Sequence, residues 1–294
     1  MTGSFSGPVD FDPGAGEFIL DSKVHAEIMV CKFDSFGEFI WVRTLDGVDG
    51  VYGDSGEGIY VDANSDLYVT GYFDSKELDL DPGEPEDLHW SKGSNDSFLV
   101  KLSDSGGYIW GVTWGGSGDD RAEGIAGAKG WVLVYGGYEQ VVDFDPGAGF
   151  EEEEGRGRFL TKFGDDGAFI WVASWLDHVL FSDMTISKNG DIFLTGLFAL
   201  ADADFDPGPS VAYSHLMGYK DAFLLKLSPE GQFKWAYNWG GELAEGHRIA
   251  LDLAGNIYTT GIFGGLTDFG LGEGNDIRPS VGQDSFLIKF TGGQ

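Results

Sequence analysis

Short apolar runs recur along the whole chain, each about five to seven residues long, rich in Phe, Tyr, Ile, Val, Leu and Thr, and bounded by Gly, Asp, Asn or Pro. Runs of this length and composition are typical of β-strands, and none is long enough for a helix. Residues 182–239 contain four such runs. The first two are joined by Asn189-Gly190, and the last two by a turn that ends in Gly231, as in β-hairpins. The pattern therefore predicts an all-β fold of four-stranded antiparallel units.

The unit repeats at a nearly constant interval. An acidic turn, Asp-Phe-Asp-Pro-Gly or Asp-Leu-Asp-Pro-Gly, separates the second and third runs and recurs every 61 to 69 residues, at Asp10, Asp79, Asp143, Asp204 and, in a degraded form, Asp268. A lysine of the third run precedes a tryptophan of the fourth by nine residues in four copies: Lys32 and Trp41, Lys101 and Trp110, Lys162 and Trp171, Lys226 and Trp235. Repeated sheets that cover each other's faces form the blades of a β-propeller.

We therefore predict a single β-propeller domain over residues 1–294, with repeats 1 to 5 at approximately 1–50, 51–117, 118–178, 179–241 and 242–294. Repeat 1 lacks its first strand and repeat 5 lacks its fourth. This favours a five-bladed propeller with incomplete terminal blades. A four-bladed ring with a spare N-terminal hairpin and a fragment of a longer array remain open as alternatives.

The order of motifs in repeat 2 resembles a known family. Residues 58–73 read Gly-Ile-x-Val-Asp, a turn, and Leu-Tyr-Val-Thr-Gly-Tyr-Phe, and they are followed by the acidic turn, Ser-Phe-Leu-Val-Lys-Leu and Gly-Tyr-Ile-Trp. This order resembles the bacterial SBBP-type β-propeller repeats and, more distantly, NHL repeats. The resemblance implies an exported or surface-attached interaction module without catalytic residues, and hence a secreted or cell-surface location. The N-terminus shows no basic segment followed by an apolar one, so any export signal has been removed or lies outside this chain.

Charge and cysteine content exclude several functions. The 49 acidic and 18 basic residues give a formal net charge of −31, which opposes binding to nucleic acid or to an anionic membrane. No apolar run approaches the roughly 20 residues of a membrane helix. Cys31 is the only cysteine, so the chain has no internal disulfide and no cysteine-based zinc cluster, and we expect this thiol to be buried.

The acidic turns are the candidate metal sites. In an extended segment residues i and i+2 point the same way, so each turn presents two carboxylates on one side. Closely spaced carboxylates and carbonyls suit Ca²⁺. The pattern predicts one Ca²⁺ in each intact turn, held by Asp10 and Asp12, Asp79 and Asp81, Asp143 and Asp145, or Asp204 and Asp206. The alternative is a purely structural role, in which these side chains bond backbone N–H groups.

A lysine recurs at one position of the third strand. Burying a lysine without a partner is costly, so we expect each copy to pair with an acidic residue of the same or the adjacent repeat. The copies are Lys32, Lys101, Lys162, Lys226 and Lys289.

The leading functional hypothesis is a non-catalytic binding or adhesion module for a protein or a glycan. Four aromatic residues outside the repeat pattern are the candidate ligand contacts if they are exposed: Trp90, Tyr138, Tyr213 and Tyr219. Packing of the long loops onto their blades is the alternative explanation for them. Two other functions remain open. One is a propeller-type glycoside-active enzyme, which a carboxylate pair inside a pocket would favour. The other is a structural array or filament that self-associates through exposed edge strands.

Overall fold

The computed structural model describes residues 1–51, 53–270 and 276–291. These residues form β-strands and no helix, so the prediction of an all-β fold is confirmed. The strands are β1 Thr2–Asp10, β2 Ile19–Phe33, β3 Phe39–Leu45, β4 Gly47–Val48, β5 Ser55–Val61, β6 Leu67–Phe73, β7 Glu77–Asp79, β8 Leu88–His89, β9 Asp96–Leu102, β10 Tyr108–Gly116, β11 Arg121–Ala128, β12 Trp131–Asp143, β13 Glu152–Gly164, β14 Phe169–Leu176, β15 Val179–Ile186, β16 Ile192–Ala199, β17 Ala203–Asp204, β18 Tyr213–Ser214, β19 Lys220–Leu227, β20 Phe233–Leu251, β21 Ile257–Asp268 and β22 Ile277–Phe290.

Neighbouring strands of each repeat pair in an antiparallel order that follows the chain. Repeat 2 runs β5-β6-β9-β10, repeat 4 runs β15-β16-β19-β20, and repeat 1 consists of β1-β2-β3. In repeat 5 the second half of β20 pairs with β21, which pairs with β22. The antiparallel units predicted from the sequence are therefore present.

The chain divides into two compact units, residues 1–156 with 161–170 and residues 157–160 with 171–294. Repeats 1 and 2 lie in the first unit and repeats 4 and 5 in the second. A single propeller domain, its ring and its number of blades stay predictions.

The Thr-Gly pair of the second strand is explained by a bulge in the first strand. The register of β15 on β16 shifts between Phe181 and Asp183, and β5 and β20 shift at the equivalent place. A Cβ on Gly196 would lie 1.9 Å from the carbonyl oxygen of Leu180, so only glycine fits opposite the bulge. The hydroxyl of Thr195 donates to the carbonyl oxygen of Phe223 at 2.8 Å. The glycine of the Thr-Gly pair therefore admits the bulged first strand on one side, and the threonine hydroxyl bonds the third strand on the other.

The fourth-strand tryptophan packs on a turn of the following repeat. The Trp41 Nε1–H group donates to the carbonyl oxygen of Asp104 at 3.2 Å, and its ring lies against Gly106. Trp110 donates to Asp165 at 3.0 Å in the same way. The turn glycines that these rings contact have positive φ, which a residue with a Cβ rarely adopts.

The expected lysine pairing is confirmed at three positions. Lys101 Nζ lies 3.3 Å from Asp66, Lys226 Nζ lies 2.8 Å from Asp191, and Lys32 pairs with Asp104 of repeat 2. The structure also shows a contact that the pairing prediction did not include. The lysine ammonium lies over an aromatic ring of the second strand. These ring contacts are Lys101 on Tyr68, Lys162 on Trp131, Lys226 on Phe193 and Lys289 on Tyr258.

Cys31 is buried, as the sequence predicts. Burial raises the pKa of its thiol to about 11, so the thiolate required for nucleophilic chemistry is scarce at neutral pH.

Candidate functional site

The acidic turns share one hydrogen-bond pattern, which we call the aspartate clamp. In the turn of repeat 4, Asp204 Oδ1 accepts the backbone N–H groups of Asp206 at 3.1 Å and Ala212 at 2.7 Å. Asp206 Oδ1 accepts the N–H of Gly208 at 2.8 Å. We call the first aspartate of each turn the clamp residue. In every copy it accepts the backbone N–H groups of the residues two and eight positions later. The clamp residues are Asp10, Asp79, Asp143, Asp204 and Asp268.

An apolar side chain anchors each clamp to the core. Phe205, between the two aspartates of repeat 4, is fully buried and lies 5.6 Å from Phe198 and 4.8 Å from Phe223 between ring centroids. Phe11, Leu80 and Phe144 are also buried at this position. The acidic turn is therefore a loop closed by hydrogen bonds, and the apolar side chain between its two aspartates packs in the core.

The predicted metal ligands lie at these clamps, two carboxylates to a turn. Among the described residues, no group of three or more His, Cys, Asp or Glu side chains is arranged to hold a metal ion. One oxygen of every predicted ligand accepts backbone N–H groups, which supports the structural alternative. Ca²⁺ binding stays a prediction. In the degraded turn of repeat 5, Leu271 and Gly272 lie outside the described residues.

Asp204→Ala should lower the free energy of unfolding by about 1–3 kcal/mol, because it leaves two backbone donors without their acceptor. Asp204→Asn keeps a side-chain oxygen at the same place and should retain most of the stability. Chemical denaturation monitored by circular dichroism measures both. Equal losses in the two variants would show that charge, and not the accepted hydrogen bonds, closes the loop.

Melting of the metal-depleted protein with and without added Ca²⁺ tests the metal prediction separately. A rise of the midpoint that Asp204→Asn reduces would support Ca²⁺ at the clamp, because the amide lacks the charge that this ion prefers. An unchanged midpoint would remove Ca²⁺ from the account.

Three of the four candidate aromatic contacts are exposed. Trp90 is 60% exposed, Tyr213 63% and Tyr219 64%. Tyr138 is only 6% exposed, so the expectation of an exposed ring is wrong at this position. Its ring packs edge-on against Phe144 at 5.7 Å, because Tyr138 takes the place that phenylalanine occupies in the other repeats.

In repeat 2 the residues just before Trp90 in the sequence belong to a cluster of polar side chains. Asp87 Oδ2 lies 3.1 Å from His89 Nε2 and accepts the hydroxyl of Tyr108. The other ring nitrogen of His89 lies 3.1 Å from Thr113 Oγ1. Burial and the adjacent Asp87 carboxylate raise the pKa of Tyr108, so its hydroxyl stays protonated and available as a donor.

The clamp of repeat 2 positions this cluster. The backbone N–H of Asp87 is the second donor to Asp79 Oδ1, at 2.9 Å. The short strands β7 and β8 then pair Asp79 with Leu88 and Leu78 with His89. Trp90 comes directly after β8, so the hydrogen bonds of the clamp hold the base of the segment that displays it.

Repeat 4 presents a similar surface. Tyr213 pairs with the clamp residue Asp204 in the β17-β18 ladder. His215 Nδ1 lies 2.7 Å from Asp202 Oδ2, and the Asn238 side-chain amide donates to the carbonyl oxygen of His215 at 3.1 Å. Both long loops therefore carry an exposed aromatic residue one or two positions along the chain from a histidine that pairs with an aspartate, although Tyr213 aligns with Leu88 and not with Trp90.

A separate acidic cavity of about 360 Å³ lies in the first compact unit, between repeats 1 and 2. Four carboxylates line it: Asp21, Glu27, Asp46 and Asp54. Burial, and then the charge of Asp46, raise the pKa of Glu27. Burial also raises the pKa of Asp54, whose carboxylate accepts the hydroxyl of Ser75 at 2.6 Å.

Comparisons with known proteins find a similar solved structure and no family. No protein family and no curated protein matches the chain. A crystal structure of a protein of unknown function from Bacteroides caccae is similar at 11% identity and a TM-score of 0.37, covering 96% of this chain and 72% of that one. Among the described residues, no helix has the length and apolar character needed to cross a membrane.

Proposed function

We propose that the protein is a non-catalytic binding module of the β-propeller type that takes a glycan at the long loop of repeat 2 and, separately, another at the long loop of repeat 4. The observation that carries the proposal is that both long loops hold an exposed aromatic residue within two residues of a histidine paired with an aspartate: Trp90 follows His89, and Tyr213 precedes His215. The resemblance to SBBP-type repeats supports a secreted or surface-attached module.

The chemistry of these loops suits a sugar. A flat indole or phenol ring packs against the apolar face of a pyranose, while carboxylate and imidazole groups exchange hydrogen bonds with its hydroxyls. The net charge of −31 opposes anionic ligands, so a neutral or cationic glycan is expected. Rigid support of the rings by the aspartate clamp reduces the ordering cost of binding.

A glycan array followed by titration of the best neutral sugar tests the proposal. Trp90→Ala should weaken binding by about tenfold or more, as truncation of a hot-spot aromatic does. The matched control is Phe36→Ala, which removes an almost fully exposed ring from a hairpin turn of repeat 1 and should leave the affinity unchanged. Absence of any glycan bound, or equal losses in both variants, would contradict the proposal. Capture of a protein that Trp90→Ala abolishes would assign the loops to a protein ligand instead.

A glycoside-active enzyme is the second candidate, and the acidic cavity favours it. A general acid needs a carboxyl whose pKa is raised, and Glu27 meets that condition inside a cavity that holds three further carboxylates. Release of the chromophore from a panel of nitrophenyl glycosides, and its loss in Glu27→Gln, would support hydrolysis. Absence of release by the unmodified protein would remove this candidate.

A further inference from the structure

A buried aspartate at the start of the third strand anchors the long loop in repeats 2 and 4. Asp96 is only 1% exposed, and its Oδ2 accepts the backbone N–H of Lys92 at 3.1 Å. Asp221 of repeat 4 is fully buried, and its Oδ2 accepts the backbone N–H of Met217 at 2.9 Å. In both repeats the donor lies four residues before the aspartate, so the end of the loop turns back onto the strand. We call Asp96 and Asp221 the latch aspartates.

The latch aspartate and the aspartate clamp hold the two sides of the segment that carries an exposed aromatic residue. In repeat 2, Trp90 lies between the clamp's second donor, Asp87, and the latch donor, Lys92. In repeat 4, Tyr213 lies between the same two kinds of donor, the second of which is Met217. The position of each aromatic residue therefore depends on the latch as well as on the clamp.

The carboxylate of Asp96 has a hydrogen-bond donor on one side only. Among the described residues, no donor lies within hydrogen-bonding reach of its buried Oδ1. The carboxylate lies against the fourth strand, where a Cβ on Gly115 would be 2.7 Å from Oδ1. A charged carboxylate with an oxygen that no donor reaches is costly to bury, whereas a protonated carboxyl group avoids that cost.

Two charged groups act on Asp96 from the elements packed around it. Burial, and then the negative charge of Asp120 in repeat 3, raise the pKa of Asp96 to about 7. The loop opposes this rise through the N–H and the ammonium group of Lys92, whose side chain is exposed. Asp120 is itself fully buried, and burial, followed by the charges of Asp119 and Glu139, raises its pKa to about 6. The pair therefore changes its charge between mildly acidic and neutral pH.

We propose that Asp96 is a proton-dependent latch, which holds the long loop of repeat 2 on the fourth strand when it is protonated and favours opening of the loop when it is charged. Opening lets water reach the carboxylate, so the cost of the buried charge is relieved. In the open loop the aspartate recovers its ordinary pKa, which is lower than that in the closed loop. The closed loop is therefore most favoured below the ordinary pKa, and this advantage is lost as the pH rises through about 7.

Hydrogen exchange of the full chain followed by mass spectrometry, at about pH 5 and about pH 8, tests the latch. Protection of residues 88–95, corrected for intrinsic exchange rates, should fall by about tenfold or more from the lower pH to the higher, since one unit of raised pKa is a tenfold effect. Asp96→Asn keeps an acceptor for the Lys92 N–H but cannot ionise, so its protection should be the same at both pH values. Circular dichroism confirms that the variant folds, and Asp96→Ser, which also keeps an acceptor, replaces it if it does not. Equal protection at the two pH values in the unmodified protein, or an undiminished fall in Asp96→Asn, would overturn the proposal.

Two further variants separate the latch from other titrating groups. His89 contacts Asp87 in the same loop, and a histidine also takes up a proton over this pH range. His89→Gln should keep the fall in protection, and its disappearance in this variant would assign the effect to His89 and overturn the proposal. The matched control is Asp34→Asn, at an exposed aspartate that accepts backbone N–H groups in a turn of repeat 1, and it should also keep the fall.

The latch of repeat 4 provides an internal comparison. Asp221 Oδ2 also accepts the side-chain amide of Asn238 at 3.0 Å, and a donor to the charged form lowers the cost of ionisation. Burial still raises the pKa of Asp221. Protection of residues 213–220 should therefore fall by less than that of residues 88–95 over the same pH change. A larger fall in repeat 4 would contradict the role given to the oxygen without a donor.

Discussion

Trp239→Ala is expected to lower the free energy of unfolding by about 3–5 kcal/mol, the range for large aromatic truncations in a core. Trp239 is fully buried at the end of the fourth strand of repeat 4. Its ring lies 5.6 Å from Phe286 and 6.2 Å from Phe290, both of repeat 5, so truncation leaves a cavity between two repeats. Urea denaturation monitored by circular dichroism measures the loss.

Trp90→Ala is the matched control for this prediction. Trp90 is mostly exposed, so its removal should change the free energy of unfolding by about 0.5 kcal/mol or less. A loss in Trp239→Ala as small as that of Trp90→Ala would show that the contact between repeats 4 and 5 does not stabilise the protein.

Gly196→Ala should destabilise the protein by about 3 kcal/mol or more, at the upper end of the cost of overpacking. The added Cβ would lie 1.9 Å from the carbonyl oxygen of Leu180, which belongs to the backbone and cannot rotate away. β15 would have to move away from β16 at its bulge, and the hydrogen bond from the Thr195 hydroxyl to the carbonyl oxygen of Phe223 would be disturbed. Thermal melting and soluble yield report this change.

Gly107→Ala provides the comparison. Its added Cβ would meet only the Ser103 hydroxyl, at 3.2 Å, which is the end of a rotatable side chain. We expect a change of about 0.5 kcal/mol or less. Similar midpoints for Gly196→Ala and Gly107→Ala would contradict the close approach of the two strands.

Local periodicity was sufficient to predict the strands and hairpins. Apolar runs separated by Asn-Gly and Glu-Gly turns define antiparallel pairs without any distant contact, and the structure has both of those pairs in repeat 4. The role of the fourth-strand tryptophan was not predictable. Trp41 contacts Gly106, and a partner 65 residues away leaves no trace in a local pattern.

The error at Tyr138 came from placing this residue outside the repeat pattern, although Tyr135-Gly136 stands where the other repeats have Thr-Gly. Tyr138 lies two residues after that glycine, at the position of Phe5, Phe73, Phe198 and Phe263 in the other repeats. Tyr138 packs edge-on against Phe144 at 5.7 Å, as Phe5 does against Phe11 at 5.1 Å. The constant spacing from the second-strand glycine was therefore the signal for a buried ring at Tyr138.

The polar groups beside Trp90 gave no sequence signal. Asp87, His89, Tyr108 and Thr113 meet because the clamp folds one loop back onto the fourth strand of its own repeat. His89 and Asp87 occur at positions that the other repeats do not share, so comparison of repeats could not identify them. The eight-residue step from the clamp residue to its second donor is the signal that would have located this loop.

Face-to-face stacking of successive repeats is the claim on which the account depends, and a cysteine pair tests it directly. The hydroxyls of Thr195 and Thr259 lie 3.2 Å apart across repeats 4 and 5, close enough for the double variant Thr195→Cys, Thr259→Cys to form a disulfide under mild oxidation. Thr267 of repeat 5 donates to Leu243 and Gly264 instead, so Thr195→Cys with Thr267→Cys should not cross-link. Intact mass and non-reducing electrophoresis should show the cross-link in the first variant only, and its absence there, or equal cross-linking in both, would contradict the stacking.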